Sequence, residues 1–138
     1  MPAWSISRTL LSESDILSVH SSYSIENNEL FNKNAFAKMK NNSIFINTAR
    51  GKFHNEDDLF QALTNGTIWG AGLDVTNPEP MDPDNPLLKL PNCCILPHIG
   101  SATNEARNAM AVCAAQNIIA LLENKKMPFC VNEEVYLN

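Results

Sequence analysis

Apolar residues follow two patterns along this chain: short runs in which they predominate, and longer stretches in which they return every three or four positions. The short runs occupy residues 16–19, 43–47, 68–75 and 94–96, and they are bounded by polar residues, glycine or proline. Apolar runs of this length predict buried strands. Because the stretches with helical spacing lie between and after these runs, the pattern predicts strands that alternate with helices.

Each predicted helix also has a start or stop signal. Asn32 can cap a short helix, and Asn55 can cap a second one whose first turn holds the acids 56–58, where the helix dipole favours negative charge. Gly66 suits the end of that second helix. The last helix is predicted from Thr103 to about Glu123. The apolar residues of the three helices are, in chain order, Ala35, Phe36 and Met39, then Leu59, Phe60 and Leu63, then Met110, Ala114, Ile118 and Leu121.

The arrangement of these elements predicts the fold class. Strands that alternate with helices and lack alternating polar residues favour an α/β fold with a parallel, doubly wound sheet covered on both faces. Only about four strands are predicted, so we expect a partial sheet. The prediction is one incomplete domain over about residues 10–123, followed by a tail over residues 124–138.

Composition and charge narrow the classes of partner. The 138 residues carry a net charge of −5, and no basic cluster is larger than Lys125–Lys126, so neither nucleic acid nor an acidic membrane is an expected partner. No apolar stretch reaches the roughly 20 residues that span a bilayer, and the first residues lack the pattern of a signal peptide. The four cysteines lack metal-ligand spacing. We therefore expect free thiols, no metal site and a cytoplasmic location.

An arginine follows the second predicted strand. Residues 45–51 read Phe-Ile-Asn-Thr-Ala-Arg-Gly, which places Arg50 just beyond the carboxyl end of a strand. Ligands of open α/β sheets bind at this edge, and a guanidinium offers a rigid fork that matches a carboxylate. Arg50 is therefore a candidate substrate-binding residue, although a surface arginine bonded to helix carbonyls would give the same pattern.

Two carboxylates and one histidine occupy similar places after the next strands. Asp74 lies near the end of the third strand, and Glu79 follows in a loop with a proline on each side, which restricts the backbone around it. His98 follows the fourth strand and precedes a helix, and imidazole suits proton donation near neutral pH. Glu79 could instead be a solvated loop residue, and His98 a hydrogen-bonded core histidine. For His20 and His54 we expect structural or surface roles.

Three motifs, taken in order, resemble those of the D-isomer-specific 2-hydroxyacid dehydrogenases. Residues 47–51 read Asn-Thr-Ala-Arg-Gly, residues 73–80 contain Leu-Asp-Val and then Pro-Glu-Pro, and residues 97–103 read Pro-His-Ile-Gly-Ser-Ala-Thr. The resemblance extends over about residues 10–128. Within that family the segments 71–76 and 94–103 are most similar to the glyoxylate and hydroxypyruvate reductases. The implied fold is the C-terminal half of a Rossmann-type NAD(P)-binding domain.

The resemblance also implies a role for each candidate residue. Arg50 would bind the carboxylate of a small 2-keto acid, such as glyoxylate or hydroxypyruvate. His98 would contact the same substrate and protonate its carbonyl oxygen while hydride is transferred from NAD(P)H, and Glu79 would hold the His98 tautomer. The residues implied at the cofactor are Ser22, Thr48, Asp74 and Gly100.

Further expectations concern the complete enzyme. The resemblance implies NADP or NAD as cofactor, with NADPH favoured, and a homodimer in the full-length form. Similar enzymes have a separate substrate domain and a GxGxxG loop that binds the cofactor pyrophosphate. Residues 70–72, Gly-Ala-Gly, do not form such a loop, because the third glycine and the following helix are missing. We therefore expect a truncated form with little activity alone.

The chain departs from the family pattern at two places, and two alternatives stay open. Ser22 and Ile25 occupy positions where the family usually has prolines, and Phe53-His54 is an unusual pair after the arginine motif. One alternative is a partner-binding module like the corepressors that share this fold. The other is a different enzyme of the family, such as phosphoglycerate dehydrogenase.

Overall fold

The computed structural model describes residues 7–136. Contacts between Cα atoms divide the chain into two compact units, one that ends at His98 and one that begins at Ile99. The first unit holds the sheet and three short helices, and the second holds one long helix and the segment that follows it.

The first unit contains a four-stranded sheet in which every pair of neighbours is parallel. Its strands are β1 (Ile16–Val19), β2 (Ile44–Asn47), β3 (Gly70–Leu73) and β4 (Cys93–Ile95), and their order in the sheet is their order along the chain. The predicted α/β fold with a partial parallel sheet is therefore confirmed. Because all strands run the same way, the segments that follow them leave the sheet at one edge.

Three strands differ from the prediction at their ends. β2 begins at Ile44, one residue later than expected. The third strand was expected over residues 68–75 but spans only Gly70–Leu73, and the fourth begins and ends one residue earlier than expected. Ile68 and Val75 are buried although they lie outside β3. Their hydrophobicity therefore reflects packing in the core and not pairing in the sheet.

The first unit contains three helices, α1 (Arg8–Glu13), α2 (Lys33–Phe36) and α3 (Glu56–Thr64). The last two begin where the sequence predicts caps. Asn32 accepts hydrogen bonds from the backbone N–H groups of residues 34 and 35, and Asn55 accepts one from that of residue 58. After α3, Gly66 adopts a left-handed conformation with φ +67°, which glycine tolerates at little cost. Only α1 was not predicted.

An aromatic cluster forms the centre of the core. The Phe45 ring on β2 is fully buried and packs against Phe31, Phe36 and His54, with ring centroids 4.8, 5.3 and 5.8 Å away. Further core residues come from the same side of the sheet and from the helices; they are Leu11, Leu17, Val19, Leu59, Ala62, Leu63, Ala71, Leu73 and Leu87. The helices of this unit thus bury one face of the sheet.

The opposite face of the sheet is not covered in the same way. Burial alternates along β1 and β2, and Ile16 at the start of β1 is 61% exposed. Within residues 7–98 the expected cover is therefore found on one face of the sheet. The apolar runs in the sequence did not show this alternation, because the less buried face also carries apolar residues, namely Ile16, Ile44 and Ile46.

The second unit is built on the long helix α4 (Asn104–Leu122). Thr103 caps it by accepting a hydrogen bond from the N–H of Ala106, as the sequence predicts. The segment after the helix is held by two hydrogen bonds. The Asn117 side chain accepts from the Phe129 N–H and donates to the Phe129 carbonyl. The predicted apolar stripe is largely exposed, including Met110, Ile118 and Leu121.

No helix of the described residues is long and apolar enough to cross a membrane.

The central position of Phe45 leads to a stability prediction. Phe45→Ala removes a fully buried ring, so we expect the free energy of unfolding to fall by about 3–5 kcal/mol. Ile25→Ala is the control, because Ile25 is 83% exposed, and it should change that free energy by less than about 0.5 kcal/mol. Urea titration followed by circular dichroism measures both. Equal losses in the two variants would contradict the assignment of the core.

Candidate active site

A buried asparagine shapes the segment that carries Arg50. Asn47 is the last residue of β2, and its side-chain oxygen accepts the N–H of Ala49 at 3.0 Å. Its side-chain nitrogen donates to the Arg50 carbonyl at 2.9 Å and lies 3.0 Å from His54 Nδ1. These bonds turn the chain at the end of the strand and place Arg50 beyond the carboxyl edge of the sheet.

The partner of that asparagine is a neutral histidine. Because the Asn47 nitrogen can only donate, Nδ1 of His54 accepts and the ring proton resides on Nε2. His54 is 2% exposed, and this burial lowers its pKa to about 4, far below the ordinary 6.5. Its Nε2 has no hydrogen-bond partner among residues 7–136. His54 therefore supports the turn from the core, in agreement with the structural role expected for it.

Three of the predicted site residues line one polar cavity at this edge. Ser22, Thr48 and Arg50 surround a space of about 540 Å³, together with His20 and Tyr23. Arg50 is exposed, and its Nη1 donates to the Ala49 carbonyl at 2.6 Å. That acceptor is a carbonyl of the turn itself and not of a helix, which differs from the surface alternative considered for this arginine.

The predicted carboxylate and histidine are in direct contact. Nδ1 of His98 lies 3.0 Å from Oε1 of Glu79. A carboxylate only accepts, so Nδ1 carries the proton and Nε2 is the ring nitrogen that remains for another partner. The side chains are 47% and 39% exposed respectively, so a ligand can reach them. A histidine oriented in this way by a carboxylate is chemically able to transfer a proton.

The backbone of His98 has an uncommon conformation. Its φ of +55° lies in the left-handed region, which residues other than glycine rarely adopt. Such a conformation costs on the order of 1–3 kcal/mol and persists only where the surrounding structure enforces it. Residues of this kind are concentrated at functional sites.

Glu79 connects the two parts of the site. A mostly apolar cavity of about 580 Å³ is bordered by Glu79 and His98, with Thr76, Met81 and Leu88 among its other walls. A smaller cavity of about 300 Å³ is bordered by Glu79 and by Arg50. Glu79 is thus common to the cavity that contains the histidine and the one that contains the arginine.

Close backbone packing also couples the two segments. A Cβ atom on Gly51 would overlap with the Thr76 carbonyl group, so only glycine fits beside Arg50. Thr76 in turn donates from its hydroxyl to the Pro78 carbonyl at 2.8 Å, next to Glu79. The peptide bonds before Pro78 and Pro80 are cis.

The two remaining predicted residues are placed differently. Asp74 is buried directly after β3, and its N–H donates to the Asn47 carbonyl at 3.0 Å. Gly100 belongs to the unit that begins at Ile99. Sequence reasoning missed Asn47, which organises the arginine turn. Its position at the end of an apolar run, three residues before Arg50, was the available signal.

The buried histidine generates a prediction for pH dependence. The folded pKa of His54 is about 4 and the ordinary value is 6.5, so the unfolded chain binds more protons between these limits. The free energy of unfolding should therefore fall as pH decreases from 6.5 towards 4, by up to about 3 kcal/mol from this group alone. It should be independent of His54 above that range.

The measurement compares the wild type with His54→Val. The variant is expected to be less stable at neutral pH, because Asn47 loses its acceptor. Its stability should fall less steeply than that of the wild type between pH 6.5 and 4, in urea titrations at several pH values. Identical slopes for the two proteins would contradict a neutral, buried His54.

Comparisons with known proteins identify the family of this chain. Residues 4–100 match the family model described as D-isomer specific 2-hydroxyacid dehydrogenase, NAD binding domain. The glyoxylate reductase/hydroxypyruvate reductase of Mus musculus is 52% identical over 119 residues, which is 86% of this chain and 36% of the mouse protein. This chain therefore spans little more than a third of that relative.

Solved structures show the same relationship. The crystal structure of a protein from Thermus thermophilus has a TM-score of 0.87 and 44% identity, covering 90% of this chain and 40% of its own. An NADPH-dependent glyoxylate/hydroxypyruvate reductase from Sinorhizobium meliloti, in complex with NADP and malonate, has a TM-score of 0.81 and 33% identity, covering 91% and 39%. From the motifs, the parallel sheet and these matches, the chain belongs to the D-isomer specific 2-hydroxyacid dehydrogenase family, in the part that forms the NAD-binding Rossmann-type domain.

Proposed function

We propose that the protein reduces a small 2-keto acid, glyoxylate or hydroxypyruvate, to the corresponding 2-hydroxy acid. The observation that carries this proposal is the 3.0 Å contact between His98 Nδ1 and Glu79 Oε1, on a loop that also borders the cavity of Arg50. The similarity to the mouse and Sinorhizobium meliloti reductases supports the choice of substrate.

The proposed mechanism assigns one task to each side chain. Reduction of a keto acid adds a hydride to the carbonyl carbon and a proton to the carbonyl oxygen. Arg50 binds the substrate carboxylate through its guanidinium fork and so fixes the position of the carbonyl. Nε2 of His98 donates the proton, and Glu79 stabilises the imidazolium before that transfer and holds the ring afterwards. When bound, NAD(P)H supplies the hydride.

The chain offers a polar surface for the cofactor at the same edge. Hydroxyl groups of Ser22 and Thr48 line the 540 Å³ cavity beyond the carboxyl ends of β1 and β2, where ligands of open α/β sheets bind. Asp74 follows β3 at that edge, and Gly100 follows His98 by two residues. These four residues are proposed as cofactor contacts. Both NAD and NADP fit this proposal, and the resemblance favours NADPH.

Two properties of the complete protein are part of the proposal. The reductase is proposed to act as a homodimer in the cytoplasm.

Because the chain spans 36% of its mouse relative, a test of activity should add the segments of that relative that have no counterpart in this chain. A chimera meets this need: the aligned segment of the mouse reductase is replaced by the corresponding residues of this chain.

The first activity prediction concerns the proton donor. The chimera should oxidise NADPH in the presence of hydroxypyruvate, and His98→Gln should lower kcat by about 10²–10⁴-fold, because it removes the general acid. Lys38→Gln is the control, since Lys38 is exposed on the first unit. Absorbance of NADPH measures turnover, and circular dichroism verifies folding. A folded chimera without turnover, or full activity in His98→Gln, would refute the proposed function.

The second activity prediction concerns substrate binding. Arg50→Lys keeps the positive charge but loses the planar fork, and a charge-assisted hydrogen bond contributes about 1.5–3 kcal/mol. We therefore expect kcat/KM for hydroxypyruvate to fall by about 10–100-fold, with a rise in KM. The KM for NADPH should change much less, and an equal rise in both KM values would argue against a carboxylate-binding role.

A further inference from the structure

A glutamate outside the site fastens the loop that carries Glu79. Glu56 is the first residue of α3 and is half-buried. Its Oε1 accepts the backbone N–H of Asn77 at 2.8 Å, and its Oε2 accepts a side-chain N–H of Asn85 at 2.6 Å. Asn77 and Asn85 stand on either side of Glu79 along the chain. One carboxylate therefore closes both ends of the loop.

We propose that Glu56 is a positioning residue of the reductase: by holding both ends of the loop 77–85, it keeps the Glu79 carboxylate in contact with the His98 ring. The inference rests on the proposed function for its catalytic meaning. Its structural content, the dependence of the Glu79–His98 contact on Glu56, stands on the hydrogen bonds alone.

The helix dipole does not account for this arrangement. All three acids in the first turn of α3 are favourably placed for the dipole, but they differ in their contacts. Asp58 accepts the backbone N–H of Lys33 at 2.8 Å and so joins α3 to α2. Asp57 is exposed. Only Glu56 is bonded to the loop that carries Glu79, and it uses both oxygens.

The type of bond suits a positioning role. Both contacts are charge-assisted, which makes them roughly twice as strong as bonds between neutral groups. The negative charge of Glu56 also acts electrostatically on β4, the strand that precedes His98. The pKa of the Cys93 thiol on β4 is raised to about 11, first by burial and then by Cys94 and Glu56.

Exchange of two side chains gives a sharp test. In Glu56→Gln the side chain keeps one acceptor oxygen and gains an amide that faces the donor of Asn85. In Asn85→Asp two carboxylates face each other. In the double variant the new amide can donate to the new carboxylate, so both ends of the loop are bonded again. An aspartate at position 85 also keeps the acceptor for the N–H of Leu87, which Asn85 provides at 2.9 Å.

The decisive readout is the tautomer of His98 in the 138-residue chain. Nitrogen-15 NMR of histidine-labelled protein, at a pH where the ring is neutral, distinguishes Nδ1–H from Nε2–H. The wild type should show the Nδ1–H form that Glu79 selects. Glu56→Gln and Asn85→Asp should each give a mixture of the two forms, and the double variant should return to the wild-type spectrum.

Asp57→Asn is the matched control, because it removes the same charge from the same turn of the helix. It should leave the His98 tautomer unchanged. The amide spectrum of each variant verifies that the chain is folded. A single Nδ1–H form in folded Glu56→Gln, or a double variant that stays mixed, would overturn the inference.

The reductase assay separates this inference from the proposed function. In the chimera, Glu56→Gln should lower kcat by about 10–100-fold, as expected for a displaced catalytic group, with little change in KM, and the double variant should recover. If no chimera turns over while the tautomers behave as expected, the proposed function fails and the positioning of Glu79 by Glu56 stands.

Discussion

In-register parallel pairing is the constraint on which the site depends. Val19, Asn47, Leu73 and Ile95 are the last residues of the four strands, and each is paired with the next across the sheet. Segments that leave the strands therefore start from one row. Arg50 and His98 follow their strands by three residues, and Asp74 follows its strand by one. These side chains are far apart in sequence but lie at one edge, because the parallel register aligns the ends of the strands that precede them.

The register alone does not orient these side chains, and two polar residues outside the reactive set add what is missing. Asn47 uses both ends of its amide to fold the arginine turn, with His54 as a buried neutral acceptor. Glu56 uses both oxygens of its carboxylate on the loop of Glu79. In each case one side chain makes hydrogen bonds to two points of a loop. The loops that carry the exposed side chains of Arg50 and Glu79 are therefore fixed by the less exposed side chains of Asn47 and Glu56.

The sequence predicted the parts of this structure that follow from local chemistry. The asparagine caps at residues 32 and 55 and the four apolar strands are local signals, and the structure contains them. Glu56 was interpreted only through the helix dipole, because its partners lie 21 and 29 residues away and no local pattern encodes them. The limits of β3 were wrong for a related reason. Burial of Ile68 and Val75 depends on the core, and a hydrophobic run cannot separate core packing from strand pairing.

Stability does not explain why His98 has its observed conformation. A contact as exposed as that of Glu79 and His98 contributes about 0–1 kcal/mol even between two charged groups, whereas a left-handed residue other than glycine costs on the order of 1–3 kcal/mol. The contact by itself therefore does not offset the backbone it requires, and the rest of the fold must supply the difference. The arrangement fixes one ring nitrogen on a carboxylate and leaves the other for a ligand. Proton transfer to a bound substrate requires a histidine held in this way. This imbalance supports the proposal that His98 is the proton donor.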